Sequence, residues 1–429
     1  MATNSNLLKR RVDAISRGVG FLTDFFAEYA ENSEIWDVEG RRFIDFGSGI
    51  GVCNTGHRHP KVMAAIEKQL SAFTHTCHQV TPYENYIELA EKLNAAMPGS
   101  SKKKTAFVST GAEAVENAIK IARAHTGRPA VISCAGGFHG RTFMGMSLTG
   151  KVVPYKVDFG SMMNDVFHFP FPNDVHGISI DESIAGLERL FKADVSANRV
   201  AAIIFEPTQG EGGFYVAPKE WVKRIRAICD EHGIVMIADE VQSGFGRTGK
   251  FFAMEHYGVE VDLMTSAKGL GGGMPISAVI GKADIMDAPN PGGLGGTYAG
   301  NAVAVAAANA VCDIMSEEAF HTRTTELGVK LKDMLNGLKS DVPQIADVRG
   351  QGLMVAVEFI DGKTPRADMV ASVVSYAKEN GLILLSCGIY GNCVRFLPPL
   401  TIQDDIFDEA LGIISNGIKQ ASNTVQAAE

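Results

Sequence analysis

Lys268 lies in DLMTSAKGLGGGMP, directly after a short apolar segment and walled by small residues and four nearby glycines. A lysine crowded in this way loses hydration, which lowers the proton affinity of its amine and suits it to Schiff-base chemistry. Read alone, the segment is more simply a flexible glycine loop that contains a lysine.

Three further places follow apolar runs, where ligands of an open parallel sheet collect. IVMIA ends in Asp239-Glu240, with Gln242 two positions on; a carboxylate there can accept a hydrogen bond from a heteroaromatic N–H such as a protonated pyridine, or it can cap the next segment. AFV leads through Ser109-Thr110-Gly111-Ala112-Glu113 into the helix-like AEAVENAIKIAR. Free amides at that helix start favour a phosphate, although a capped helix looks the same. AGGFHGRT offers Phe138 to lie against a planar ring and Arg141 to grip a carboxylate through two parallel hydrogen bonds. Each feature has an ordinary explanation. Their order along the chain, phosphate cradle, aromatic, acid, then lysine, is what a pyridoxal-phosphate site needs.

The elements that must position these residues are legible in outline. A chain of 429 residues suggests about two or three domains. The 45% apolar and 21% charged composition is that of a globular enzyme rather than a disordered or fibrous chain. Glu34 to Val38 and Arg42 to Phe46 read as a hairpin across Glu39-Gly40. From about 105 to 300, the runs AFV, AVI, AAIIF and IVMIA alternate with helical stretches, the pattern of an α/β fold with a mostly parallel sheet buried on both faces. Between the last two runs, Trp221, Val222, Ile225 and Ile228 repeat every three to four residues between Pro218 and Gly233, which bound a helix. After about 320, charged helices, GLMVAVEF, ILLS and VRFL suggest a smaller α+β domain. The expected division is 1–60 as an N-terminal segment contributing to the small domain, 61–320 as the large cofactor-binding domain and 321–429 as the C-terminal small domain.

Charge and cysteine usage narrow the partners. The net charge is −9 and no basic run is longer than Lys102 to Lys104, so no nucleic-acid or membrane partner is expected. Seven dispersed cysteines without a C-x-x-C pair fit a reducing compartment. With a polar N-terminus and no bilayer-length apolar stretch, the expected location is cytoplasmic. His57 and His59 form an H-x-H pair without further ligands nearby; they read as solvated or capping histidines, and no metal is expected. Gly244 to Gly249 satisfies G-x-G-x-x-G and raises an NAD-dependent oxidoreductase. Its first glycine, however, comes five residues after the apolar run rather than in a tight strand-to-helix turn. A non-enzymatic scaffold would give a colourless protein.

STGAEAVENAIKIAR, GFHGRT, EPTQGEGG, IADEVQSGFGRTG, SAKGLGGGMP and GGTYAGN resemble the successive motifs of the class III aminotransferases, over essentially the whole chain. GSGIGVCNTGH, THTCHQV and LILLSCG with Arg395 shortly after resemble the members that act on 4-aminobutyrate. The resemblance implies a fold-type I pyridoxal-phosphate enzyme with Lys268 as the Schiff-base lysine and proton shuttle. It implies Asp239 on the pyridine nitrogen, Val241 and Phe138 over the ring faces, and Gln242 on the ring oxygen. Gly111 and Ala112 would hold the phosphate, joined across the interface of a homodimer, or of a dimer of dimers, by Thr297. For substrate it implies Arg141 on the distal carboxylate with Ile50 nearby, and Arg395 on the α-carboxylate of glutamate. Glu211 would be a switch that neutralises Arg395 when no such carboxylate is bound, its flanking glycines giving it room to swing. The implied reaction moves the amino group of 4-aminobutyrate to 2-oxoglutarate, with 5-aminovalerate or another ω-amino acid as the alternative donor. Close relatives more often carry tyrosine at the position of Phe138 and serine at that of Ala112, so two hydroxyls are absent here.

Overall fold

A computed structural model describes residues 3–426. After a first helix (Asn4–Ala14), the chain forms a meander of β1 (Ala27–Glu31), β2 (Glu34–Asp37) and β3 (Arg42–Asp45), all antiparallel. The β2–β3 turn forms because Gly40 adopts φ +79° and the Asp37 carboxylate accepts the amides of Glu39 and Arg41. His57 does not stand in solvent, as the sequence suggested. It is half-buried, 2.8 Å from Asp45, which raises its pKa to about 10 against the opposing effect of burial. His59 caps the helix Pro60–Leu70 by accepting the amide of Lys61.

The middle of the chain forms β4 (Lys103–Val108), β5 (Ala130–Cys134), β6 (Val166–Phe169), β7 (Val200–Phe205), the short hairpin β8 (Thr208–Gln209) and β9 (Tyr215–Val216), then β10 (Val235–Asp239), β11 (Leu263–Ser266) and β12 (Ser277–Lys282). Seven of these make one sheet in the order β4-β12-β11-β10-β7-β5-β6. The pairs β11–β10, β10–β7, β7–β5 and β5–β6 are parallel, whereas β12 is antiparallel to both its neighbours. Every residue of β5, β7, β10 and β11 is buried, because helices cover both faces. The helix Lys219–His232 starts after Pro218 and stops at Gly233, whose φ of +60° permits the left-handed cap. It buries Trp221, Val222, Ile225 and Cys229, with Ile228 at the edge.

The last part builds β13 (Ile345–Gln351), β14 (Met354–Asp361), β15 (Thr364–Pro365), β16 (Leu382–Ile383), β17 (Leu385–Cys387) and β18 (Cys393–Phe396). β13, β14, β18 and β17 form an antiparallel sheet, and its apolar core includes residues of the helices Glu318–Gly337, Ala367–Glu379 and Asp404–Gln426. ILLS is therefore not one strand. Its first residue, Ile383, ends β16, which pairs in parallel with β3, while Leu385 and Ser386 belong to β17, which joins β18, so one short segment ties the N-terminal meander to the C-terminal sheet. Among the described residues, no helix is long and apolar enough to cross a membrane.

Candidate active site

The carboxyl ends of β4, β5, β7, β10 and β11 open on one cavity of about 510 Å³, within the usual size of a small-molecule site. Its walls include Gly111 and Ala112 after β4, Phe138 and Arg141 after β5, Glu206 after β7, Asp239, Val241 and Gln242 at the end of β10, and Lys268 after β11. Five separate strand ends thus bring together side chains spread over some 160 residues of sequence.

At one end, Thr110 caps the helix Gly111–Thr126. Its hydroxyl accepts the amide of Glu113, whose carboxylate accepts those of Ser109 and Thr110. This reciprocal cap takes three amides and leaves those of Gly111 and Ala112 at the positive end of the helix, as an anion requires. A Cβ on residue 111 would stand 2.9 Å from Val241 Cγ1, so glycine allows the backbone its close approach to Val241.

Asp239 is buried, with both oxygens engaged. His139 Nδ1 lies 2.7 Å from Oδ2, while Oδ1 accepts from the Thr265 hydroxyl at 2.9 Å and the Val241 amide at 3.1 Å. A carboxylate offers about four acceptor positions, so one remains for a ligand N–H. Burial disfavours charge on His139, yet the bond to Asp239 raises its pKa overall. Glu206 accepts the amides of Phe138 and Gly210, and burial pushes its pKa up to about 7.

Lys268 adopts a left-handed φ of +44°, a strained position for a side-chain-bearing residue. Burial lowers its pKa, which Glu211 opposes and Arg395 assists. The buried Gln242 Oε1 has no protein partner among the described residues. Two free amides, an unpartnered amide side chain, an amine of lowered proton affinity and a carboxylate with a spare acceptor position fit pyridoxal phosphate in each of its polar parts.

Glu211 and Arg395 lie outside the cavity wall. Glu211 is on the loop between β8 and β9, and Arg395 on β18. Glu211 Oε1 is 2.5 Å from Arg395 Nη1, with both side chains largely buried. Burial opposes ionisation of each, but their mutual attraction prevails, lowering the glutamate and raising the arginine. The glycines beside Glu211 answer to close packing rather than to open space: a Cβ at 212 would stand 2.6 Å from the Gly136 carbonyl oxygen, and Gly213 has φ +127°. The Glu211 carbonyl also accepts the Gly388 amide. The backbone at Glu211 is therefore held in place.

Ile50 occupies a left-handed turn and is 43% exposed, and Val52 rather than Ile50 lines the cavity. Thr297 is exposed and does not line it. Reasoning from sequence overlooked His139 and Glu206, although both lie inside the quoted motifs GFHGRT and EPTQGEGG. It also overlooked Thr265 and Tyr155, which no periodicity or turn signal marks. Gly244 to Gly249 forms turns that lead into bends and a short 3-10 helix (Ala253–His256) rather than opening an α-helix, so it is not a dinucleotide fingerprint. Arg247 within it is buried and donates to Asn54 and to the Leu353 and Pro398 carbonyls. No group of three or more His, Cys, Asp or Glu among the described residues is placed to hold a metal.

Comparison with known proteins gives a consistent result. The family model described as aminotransferase class-III matches residues 15–418. A 5-aminovalerate aminotransferase of Pseudomonas putida is 55% identical, covering 96% of this chain and 97% of its own. A 4-aminobutyrate aminotransferase of Escherichia coli is 51% identical, covering 98% and 100%. Among solved structures, an ornithine aminotransferase of Toxoplasma gondii, with pyridoxal phosphate partially occupying its active site, superposes with a TM-score of 0.87 at 28% identity over 99% of this chain and 96% of that one.

Proposed function

We propose that this chain, which belongs to the class III aminotransferases, moves the terminal amino group of 4-aminobutyrate to 2-oxoglutarate, giving succinic semialdehyde and glutamate. The observation that carries the substrate reading is the buried Glu211–Arg395 pair. An arginine meant only for α-carboxylates would need no internal partner, whereas one that must also tolerate substrates without that group needs its charge neutralised.

Pyridoxal phosphate, the cofactor of the family, supplies an electron sink for charge developing on the carbon beside the migrating nitrogen. In this reading the Gly111 and Ala112 amides would hold its phosphate, Val241 and Phe138 would cover its ring, Gln242 would bond the ring oxygen and Asp239 would accept the ring N–H. Lys268 would carry the cofactor, and its amine of lowered proton affinity would hold and move a proton at Nζ beside the substrate carbon. Arg141 grips the carboxylate that both substrates share, with Ile50 nearby. Arg395 binds the α-carboxylate of glutamate when the Glu211 side chain turns away.

The exposed Thr297 beside the exposed Tyr298 supports a homodimer in which Thr297 serves the cavity of a second copy. The pairing of β3 with β16 supports assigning residues 1–60 to the small domain together with 321–429, beside a large domain of residues 61–320. A reducing, cytoplasmic setting accords with seven free cysteines.

A second reading, with 5-aminovalerate as the donor, is favoured by the 55% identity to the Pseudomonas putida enzyme. The two donors differ by one methylene, which a site distinguishes by only about 1–3 kcal/mol. A panel of ω-amino acids with 2-oxoglutarate or pyruvate as acceptor tests both readings, with Lys268→Ala and Arg141→Ala as controls. The reading stands if 4-aminobutyrate with 2-oxoglutarate has the highest kcat/KM; a higher value for 5-aminovalerate replaces it with the second.

A further inference from the structure

Tyr155 connects three parts of the site that the sequence presents separately. Its hydroxyl donates to Glu211 Oε2 at 3.2 Å, while Glu211 Oε1 faces Arg395. Its ring packs on Phe138 at 4.9 Å between centroids, and the Arg141 guanidinium lies 4.9 Å from the same ring. The residue is 9% exposed. Burial first, and the neighbouring Glu211 charge second, push its pKa up to about 12, so it donates as a neutral phenol throughout the physiological range.

We infer that Tyr155 is a positioning residue that sets donor specificity: its hydroxyl holds Glu211 in the arrangement that neutralises Arg395, and its ring fixes Arg141. The inference rests on the reading of Glu211 as a switch. Turning Glu211 away from Arg395 also breaks the Tyr155 bond, so the hydroxyl stabilises only the arrangement that receives a donor lacking an α-carboxylate. The ring acts on Arg141, which grips the carboxylate common to both donors, and so bears on both half-reactions alike. One side chain therefore carries two separable effects. Phe138 has no hydroxyl, and Tyr155, packed against it, supplies one from a neighbouring segment.

The test measures the two half-reactions of the holoenzyme separately, with 4-aminobutyrate and with glutamate, in wild type, Tyr155→Phe, Tyr155→Leu, Glu211→Ala and the Tyr155→Phe/Glu211→Ala double variant. Tyr155→Phe keeps the ring and should shift the ratio of kcat/KM values about tenfold toward glutamate, the size expected for a hydrogen bond to a charged group. Cofactor affinity should be unchanged. Tyr155→Leu should add a loss on both substrates. In the Glu211→Ala background Tyr155→Phe should no longer move the ratio, because the two residues act through one contact. An equal loss on both substrates with Tyr155→Phe, or none, overturns the assignment to Tyr155 while Glu211→Ala still shifts the ratio. A ratio unmoved by Glu211→Ala overturns the switch itself, and the inference with it.

Discussion

His139 Nδ1 stands 2.7 Å from Asp239 Oδ2, with both side chains buried. The pairing gives the carboxylate a fixed direction and counters its charge, while Thr265 and the Val241 amide hold its other oxygen. Replacing His139 by Ala should leave one oxygen of Asp239 unpaired in a dry site. Hydrogen bonds to charged groups contribute about 1.5–3 kcal/mol, so the half-reactions should slow roughly tenfold to a hundredfold. Stopped-flow absorbance of the cofactor with either donor checks this, and a rate within twofold of wild type would count against the pairing's importance.

Glu206 makes stability depend on pH. Its pKa rises from 4.5 to about 7 because burial disfavours its ionised form. The folded state therefore holds a proton that the unfolded chain releases. The stabilisation is fully present below pH 4.5 and is lost as pH rises through about 7, with an order-of-magnitude size of about 3 kcal/mol. Glu206→Gln should remove this part of the pH dependence, measured by denaturant unfolding at pH 5 and pH 8.

The Glu211–Arg395 pair has the opposite sign. Arg395 outweighs the effect of burial and lowers the Glu211 pKa, so its contribution is present above the ordinary carboxylate range and disappears as pH falls through the folded value. Arg395→Leu should destabilise the protein by about 3–5 kcal/mol at neutral pH, because it leaves a buried carboxylate without its countercharge. Adding Glu211→Leu to that variant should recover much of the loss, as read from the unfolding midpoint.

Gly111→Ala probes the proposed phosphate cradle. The new methyl would meet Val241 Cγ1 at 2.9 Å and push either Val241 or the helix start out of place. Overpacking of this kind costs about 1–3 kcal/mol, so cofactor affinity should fall about tenfold or more, measured by equilibrium dialysis of the apoenzyme.

Much of the frame was readable from local pattern. Buried strands announce themselves as continuous apolar runs, and the helix Lys219–His232 by its spacing and its bounding Pro218 and Gly233. Residues placed just after such runs had to collect at one edge of the sheet, which is why Gly111, Phe138, Arg141, Asp239, Gln242 and Lys268 share a cavity. ILLS escaped that reasoning, because periodicity within four residues cannot tell one strand from two that serve different sheets.

The sequence by itself determined which residue types stand at the strand ends, and with them the class of cofactor and reaction, because side-chain chemistry and strand order are local properties of the chain. Tertiary structure alone decided the pairing of His139 with Asp239 at a separation of 100 residues and the place of Tyr155 between Glu211 and Arg141, whereas the pairing of Glu211 with Arg395 at 184 was implied by the family resemblance and by no spacing. Such contacts depend on how sheets and loops pack in space, and a buried charge takes whichever partner that packing brings within reach, a choice that no spacing in the chain records.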